Sequence, residues 1–158
     1  MSLHRFHDVQ QFPISVEEAW AFFSDPRNLA VITPPDMAFT VTSELPAQMH
    51  PGLIIKHRIR PVMNVPMTWV TEITHLVENE LFVDEQRFGP YRFWHHQHHF
   101  RAIPGGVEMR DIVHYDVGFG SVGDVVDLLL VRRRIQAIFD FRRRVLEQRF
   151  GTLPAHAY

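Results

Sequence analysis

His96 and His98 stand one residue apart in the run Gly89-Pro90-Tyr91-Arg92-Phe93-Trp94-His95-His96-Gln97-His98-His99-Phe100. Imidazoles at this spacing suit acid–base work, orientation of a polar ligand atom, or metal ligation. Histidine titrates near neutrality and offers a ring lone pair. What they can do depends on the backbone that carries them. The run is too aromatic for a loop and its apolar period is not helical. As a strand, alternate residues face opposite sides. One face carries Trp94, His96, His98 and Phe100, the other Phe93, His95, Gln97, His99 and Arg101. Large aromatics dominate interiors, so the first face is expected to point inward.

Carboxylates come within reach from neighbouring strands. Asp84, Gln86 and Phe88 alternate on the preceding strand, and Asp111, Val113 and Tyr115 on the following one. Cross-strand pairing would bring Asp84 and Asp111 to the two histidines. The expected site is a polar cluster of Asp84, Gln86, His96, His98, Asp111 and Tyr115 in an apolar cup. Such convergent polar groups orient a ligand. His96, His98, Asp84 and Asp111 are also the candidates for acid–base catalysis. The plainer alternative is that these groups satisfy one another in the core and bind nothing. A metal is not expected: a cupin-type site wants a Glu soon after the His pair, whereas His99 to Ile103 follows and Glu108 comes too late. No nucleophile elbow, phosphate-binding glycine loop or cysteine is present.

The rest of the chain supplies elements to hold that strand. Residues 3–12 read as a strand. Ser15-Val16-Glu17-Glu18 is a capping box opening a helix whose inner face is Val16, Ala19, Trp20 and Phe23. Asp25-Pro26 starts a second short helix, with Leu29 and Ile32 inward. Phe39 and Val41 alternate as a strand. Leu53, Ile55, His57 and Ile59 form the buried face of the next, with His57 expected as a satisfied core histidine. Pro61 to Pro66 is a turn. Residues 67–77 form a strand with Trp69, Thr71 and Ile73 on one face, and Leu81 to Phe88 another. Pro104-Gly105-Gly106 is a hairpin turn before the last strand, Val107 to Val117. Short turns between consecutive strands favour an antiparallel meander. From about Gly120 to Phe150 one long amphipathic helix is expected. Its stripe is Val122, Val126, Leu129, Ile135, Ile138, Phe139, Val145 and Leu146, flanked by arginines 132–134 and 142–144. The trios read as a solvated face, with room for one stem of each beside the core. His4, His7, His50, His75 and His156 are expected at the surface, and His114 outward.

The order strand, two short helices, six strands, long helix resembles the START/Bet v 1-like (SRPBCC) superfamily. A bacterial group within it has a Gly-Pro-aromatic-x-x-Trp-x-His-x-His-x-Phe strand. Here that is Gly89-Pro90-Tyr91, Trp94, His96, His98 and Phe100. Asp84 and Gln86, Asp111 and Tyr115, and Ile138-Phe139-Asp140-Phe141-Arg142 extend the likeness over the whole chain. The resemblance implies an α+β helix-grip fold: an antiparallel curved sheet of about seven strands around a long C-terminal helix. It also implies a cavity for a hydrophobic or aromatic small molecule. Residues 1–158 are expected as one such ligand-binding domain. The expected wall is Trp69, Gln86, Trp94, His96, His98, Phe100, Val113, Tyr115 and Phe139. Members bind lipids or metabolites, or act as polyketide cyclases, so the fold does not single out one activity. A cyclase or dehydratase using a His/Asp pair, and a protein-interaction module with a small cavity, stand as alternatives. Enzyme status stays open, with binding preferred.

Composition narrows the partners. A net charge of -2 gives no long-range pull toward nucleic acid. Cysteine is absent, so no disulfide forms. The polar opening residues lack an apolar signal core, and Val125 to Val131 is interrupted by Asp127. A cytoplasmic protein with no cofactor and no membrane segment is expected. Monomer and homodimer are not distinguished.

Overall fold

The computed structural model describes residues 2–60, 65–118, 120 and 125–153. Seven strands form one antiparallel sheet: β1 (His4–Phe12), β2 (Thr40–Val41), β3 (Ile54–Ile59), β4 (Met67–Val77), β5 (Leu81–Phe88), β6 (Phe93–Ile103) and β7 (Gly106–Asp116). Their spatial order is β1-β7-β6-β5-β4-β3-β2. The last six strands are therefore a meander, and β1 closes on β7. The β6–β7 hairpin turns through Pro104 and Gly105, with Ile103 paired to Gly106. Gly105 has φ +82°, the left-handed conformation that a turn of this kind assigns to glycine.

Helix α1 (Val16–Phe23) is capped as its sequence demands: Glu18 N–H donates to Ser15 Oγ at 3.1 Å. Glu17 and Glu18 sit at its positive end. Its Ala19, Trp20, Phe22 and Phe23 are buried. Replacing Ser15 with Ala is predicted to destabilise the fold by about 1 kcal/mol, read from urea denaturation; no change would mean the cap is redundant. Asp25 caps a 3-10 turn, Pro26–Ala30, accepting from Arg27 N–H at 3.0 Å.

Helix α2 (Arg132–Phe150) is 19 residues, about 28 Å long. A π-helical turn, Asp127–Val131, precedes it. Within α2, Ile135, Phe139, Arg142 and Leu146 are buried, at spacings of four, three and four. The continuous stripe expected from Gly120 does not extend to its beginning. Val126 and Leu129 are exposed, as are Val125 and Leu130. A π turn takes more residues per turn than an α-helix, so an α-helical stripe extrapolated through it loses phase. Val122 lies outside the described residues, as do 61–64 of the expected Pro61–Pro66 turn, and His156. The strand expected around Phe39 is only Thr40–Val41.

Three apolar clusters make the core. Phe12, Trp20, Phe23, Phe82, Phe100 and Leu146 belong to the first. Val113, Tyr115, Val131, Ile135 and Phe139 form the second. Leu53, Ile55 and Ile73 form the third. No helix of the described residues is long and apolar enough to cross a membrane.

Candidate functional site

The alternation of β6 places its aromatic face inward as expected. His96, His98 and Phe100 are buried, while Phe93 is 36% exposed. On the outer face His95 meets Glu85 at 3.0 Å, and Gln97 bridges His95 and His99. Register sets His96 opposite Asp84 and His98 opposite Asp111 on the two flanking strands.

The result is a closed ring of four side chains. His96 Nε2 lies 2.8 Å from Asp111 Oδ1 and its Nδ1 3.4 Å from Asp84 Oδ2. His98 Nε2 lies 2.8 Å from the same Asp84 oxygen. Its Nδ1 is 2.9 Å from Asp111 Oδ1 but off the hydrogen-bonding direction. The two imidazoles are 3.8 Å apart between centroids, and Phe82 stacks on His98 at 4.1 Å. Arg142 reaches in from α2, with Nη1 3.6 Å from Asp111 Oδ1 and its guanidinium 4.8 Å over Phe139.

These contacts set the charges. Burial, the largest single influence, pushes the Asp111 and Asp84 carboxyls up, yet the bonds and charges of His96 and His98 outweigh it. Both acids end below the ordinary carboxylate range, Asp84 with further help from Arg142. Burial and the neighbouring His98 lower His96. Burial also works against a charged His98, but its bonds to Asp111 and Asp84 and their charges together raise it. His98 is thus biased toward its imidazolium form and His96 toward the neutral ring.

A cavity of about 180 Å³ lies between the sheet and α2. Asp84, His96 and His98 stand in its wall, with Trp69, Trp94 and Phe139. Asp111 stands behind them and is not part of the lining. Four further residues of the expected wall lie elsewhere. Phe100 packs against Trp20 and Phe23 at one end. Val113 and Tyr115 are buried in the cluster around Phe139. They share the inward face of β7, opposite His96 and Trp94, but do not line the cavity. Gln86 turns its amide to the backbone of Tyr91, donating to its carbonyl at 2.6 Å and accepting from its N–H at 3.2 Å. It shapes the Gly89-Pro90 turn; a Cβ on Gly89 would collide with that amide. Phe88, expected on the same face as Asp84, is 64% exposed.

Two cavity residues escaped the sequence reading. His57 was expected to be satisfied. Its Nε2 does meet Thr71 Oγ1 at 3.0 Å, but its buried Nδ1 has no partner and the ring lines the cavity. Burial pushes its pKa down to about 4, opposed by the charge of Asp84. Arg142 belongs to a trio read mainly as solvated, yet it is 6% exposed, with no hydrogen bond at Nε or Nη1. The signal was present: position 142 continues the buried 135, 139, 146 stripe. Arg143 turns outward to Asp8 and the Val9 carbonyl.

No protein-family model matches the chain, and no curated protein matches it in sequence. Its likenesses are to solved structures. Protein CV1439 from Chromobacterium violaceum superposes with a TM-score of 0.68 at 16% identity, covering 97% of this chain and 100% of that one. Ara h 8.0201, of the Bet v 1 family, gives 0.59 at 16%, over 92% and 99%. The di-domain ARO/CYC StfQ from the steffimycin biosynthetic pathway gives 0.63 at 11%, over 95% of this chain and 53% of StfQ. At such identities the likeness concerns the fold, which is the Bet v 1-like helix grip.

Proposed function

We propose that residues 1–158 form one binding unit for an apolar, ring-sized molecule that carries at least one oxygen acceptor. The cavity between sheet and α2 is the observation that carries this reading. Its volume of about 180 Å³ exceeds the ~150 Å³ that holds a benzene ring in an engineered core. Apolar walls from Trp69, Ile73, Trp94 and Phe139 would take the ligand's body. Arg142 can only donate, and its Nε and Nη1 make no hydrogen bond, Nη1 having only the ion-pair contact with Asp111 at 3.6 Å. An unpaired buried donor costs about 1–3 kcal/mol, a deficit that a ligand oxygen would relieve. His57 Nδ1 is a second unsatisfied atom for the same ligand. The open cavity also weighs against an interaction module whose cup is filled by side chains.

The test is native mass spectrometry after incubation with a metabolite extract, followed by titration of the captured compound. Wild type is expected to retain an apolar adduct. Ile73→Trp, which pushes an indole into the cavity while the fold is checked by circular dichroism, is predicted to weaken binding at least about 10-fold, the scale of one lost hydrophobic contact. Equal affinity in a folded Ile73→Trp protein would place the ligand elsewhere.

A second reading, acid–base turnover of cyclase or dehydratase type, draws on His98, whose protonated form its carboxylate neighbours favour, and its partner Asp84 in the cavity wall. It requires that His98→Gln lose turnover of the captured compound while still retaining it.

A further inference from the structure

The ring of Asp84, His96, His98 and Asp111 has a shortage of protons. Four imidazole nitrogens face two carboxylate oxygens, which only accept. Two neutral imidazoles carry two N–H groups between them. With His96 Nε2–H bonded to Asp111 Oδ1 and the His98 proton on Nδ1, close to that oxygen but off its hydrogen-bonding direction, His96 Nδ1 and His98 Nε2 turn bare lone pairs toward Asp84 Oδ2. Three electron-rich atoms then converge: Asp84 Oδ2, His96 Nδ1 and His98 Nε2. They require a positive species among them. An extra proton on His98 is one answer.

We propose that the better answer is a divalent transition-metal ion, held by Asp84, His96 and His98 in the cavity wall, with Asp111 as the outer carboxylate that fixes both imidazoles.

The donor set is right for it. Two imidazoles and one carboxylate suit zinc or ferrous iron. One ligand atom from each of the three residues lies within 4.8 Å of the others. Metal–ligand bonds of about 2.0–2.1 Å at roughly tetrahedral to right angles place donors about 2.9–3.4 Å apart. The Asp84 oxygen is already 2.8 Å from one imidazole nitrogen and 3.4 Å from the other. The remaining nitrogens, His96 Nε2 and His98 Nδ1, lie 2.8 and 2.9 Å from one Asp111 oxygen. A ligating histidine characteristically gives its second N–H to a carboxylate, which fixes its tautomer. Here the carboxylate of Asp111 bonds His96 Nε2 and stands beside His98 Nδ1, which a turn of the ring would bring onto it.

Charge agrees. Without the His98 proton, Asp84 and Asp111 against Arg142 leave one net negative charge for the incoming cation. Three protein donors leave at least one coordination position free, and all three residues line the cavity. A cupin-type site takes its Glu from the strand that carries the histidines. The carboxylates come instead from the strands on either side, one as ligand and one as support.

The test uses untagged full-length protein stripped with a chelator. Cobalt(II) is added as a spectroscopic stand-in for zinc. Expected is visible ligand-field absorption that saturates at one equivalent and is abolished by zinc. Asp84→Asn and His98→Gln should abolish the spectrum while circular dichroism stays native. Asp111→Asn should weaken zinc binding about 10–100-fold. Should that variant fail to fold, the other two carry the test. Absence of a saturable spectrum in folded wild type would mean the site holds only a proton. A spectrum that survives in folded Asp84→Asn and His98→Gln would assign the ion elsewhere, for example to Glu85 and His95 on the outer face. Either outcome overturns the proposal. Neither bears on capture of an apolar ligand, which the Ile73→Trp comparison tests separately.

Discussion

Replacing Asp111 with alanine is expected to lower the free energy of unfolding by about 3–5 kcal/mol, the cost of stripping the partner from a buried charge. Asp111 is 3% exposed. One of its oxygens faces His96, His98 and Arg142 together. Arg142 lies on the buried stripe of α2 and cannot reach water without disturbing Ile135, Phe139 and Leu146. Removing the carboxylate leaves the guanidinium, and any charge on His98, without this anion in an apolar wall. The second half of the cycle makes the claim specific. Arg142→Leu in the Asp111→Ala background removes one of the stranded charges. The double variant should therefore be more stable than the sum of the single losses implies, by at least about 1 kcal/mol. Chemical denaturation with chelator present, at unchanged m-value, reads both. A loss below 1 kcal/mol for Asp111→Ala, or strict additivity, would show that Arg142 draws nothing from this carboxylate.

That network shows what the sequence made legible and what it hid. Period-two alternation identified the inner face of β6, and strand order alone brought Asp84 and Asp111 to His96 and His98. Alternation names a face, but not the depth along a strand at which a cavity begins. Phe100, Val113 and Tyr115 satisfy the face rule and still pack into apolar clusters without lining the open space. Gln86 obeys the same parity up to its Cα. There the Gly89-Pro90 turn offers its amide two backbone partners, and the side chain takes them. Register in β4–β5 also shifts between Val70 and Thr71 and between Ile73 and His75, so counting in twos along that pair loses its phase. Arg142 was concealed by its neighbours: a trio of arginines reads as surface charge until each is placed on the helical stripe separately. His57 was read as satisfied because burial predicts a partner for each polar atom. One of its nitrogens has none, because the ring edge faces the cavity instead of packed polar groups.

His57 gives the second large effect, in the pH dependence of stability. Its pKa falls to about 4 in the folded chain because burial disfavours the imidazolium, with the charge of Asp84 opposing. In the unfolded chain it returns to about 6.5. Between those values the unfolded state binds a proton that the folded state refuses, so stability must fall as pH falls from about 6.5 to 4. The gap corresponds to about 3 kcal/mol. His96, also lowered by burial, adds to the loss in the same direction. His98 has the opposite sign, being raised, but its stabilisation is fully present below about 6.5 and is lost only as pH rises through its folded value. It cannot offset the acid loss. Asp84 and Asp111, held low, withdraw their support only below about pH 4, under the window in question. The window from about 6.5 to 4 thus belongs to the lowered histidines, His57 and His96 in the core, with the more exposed His99 and His114, lowered by partial burial and neighbouring charges, acting in the same direction. His57→Gln keeps a polar atom near Thr71 and cannot ionise. Urea denaturation at intervals across that range should show a profile flattened by about 3 kcal/mol relative to wild type. An unchanged slope would mean that His57 takes up its proton within the fold, through an opening of the cavity wall that gives Nδ1 access to water.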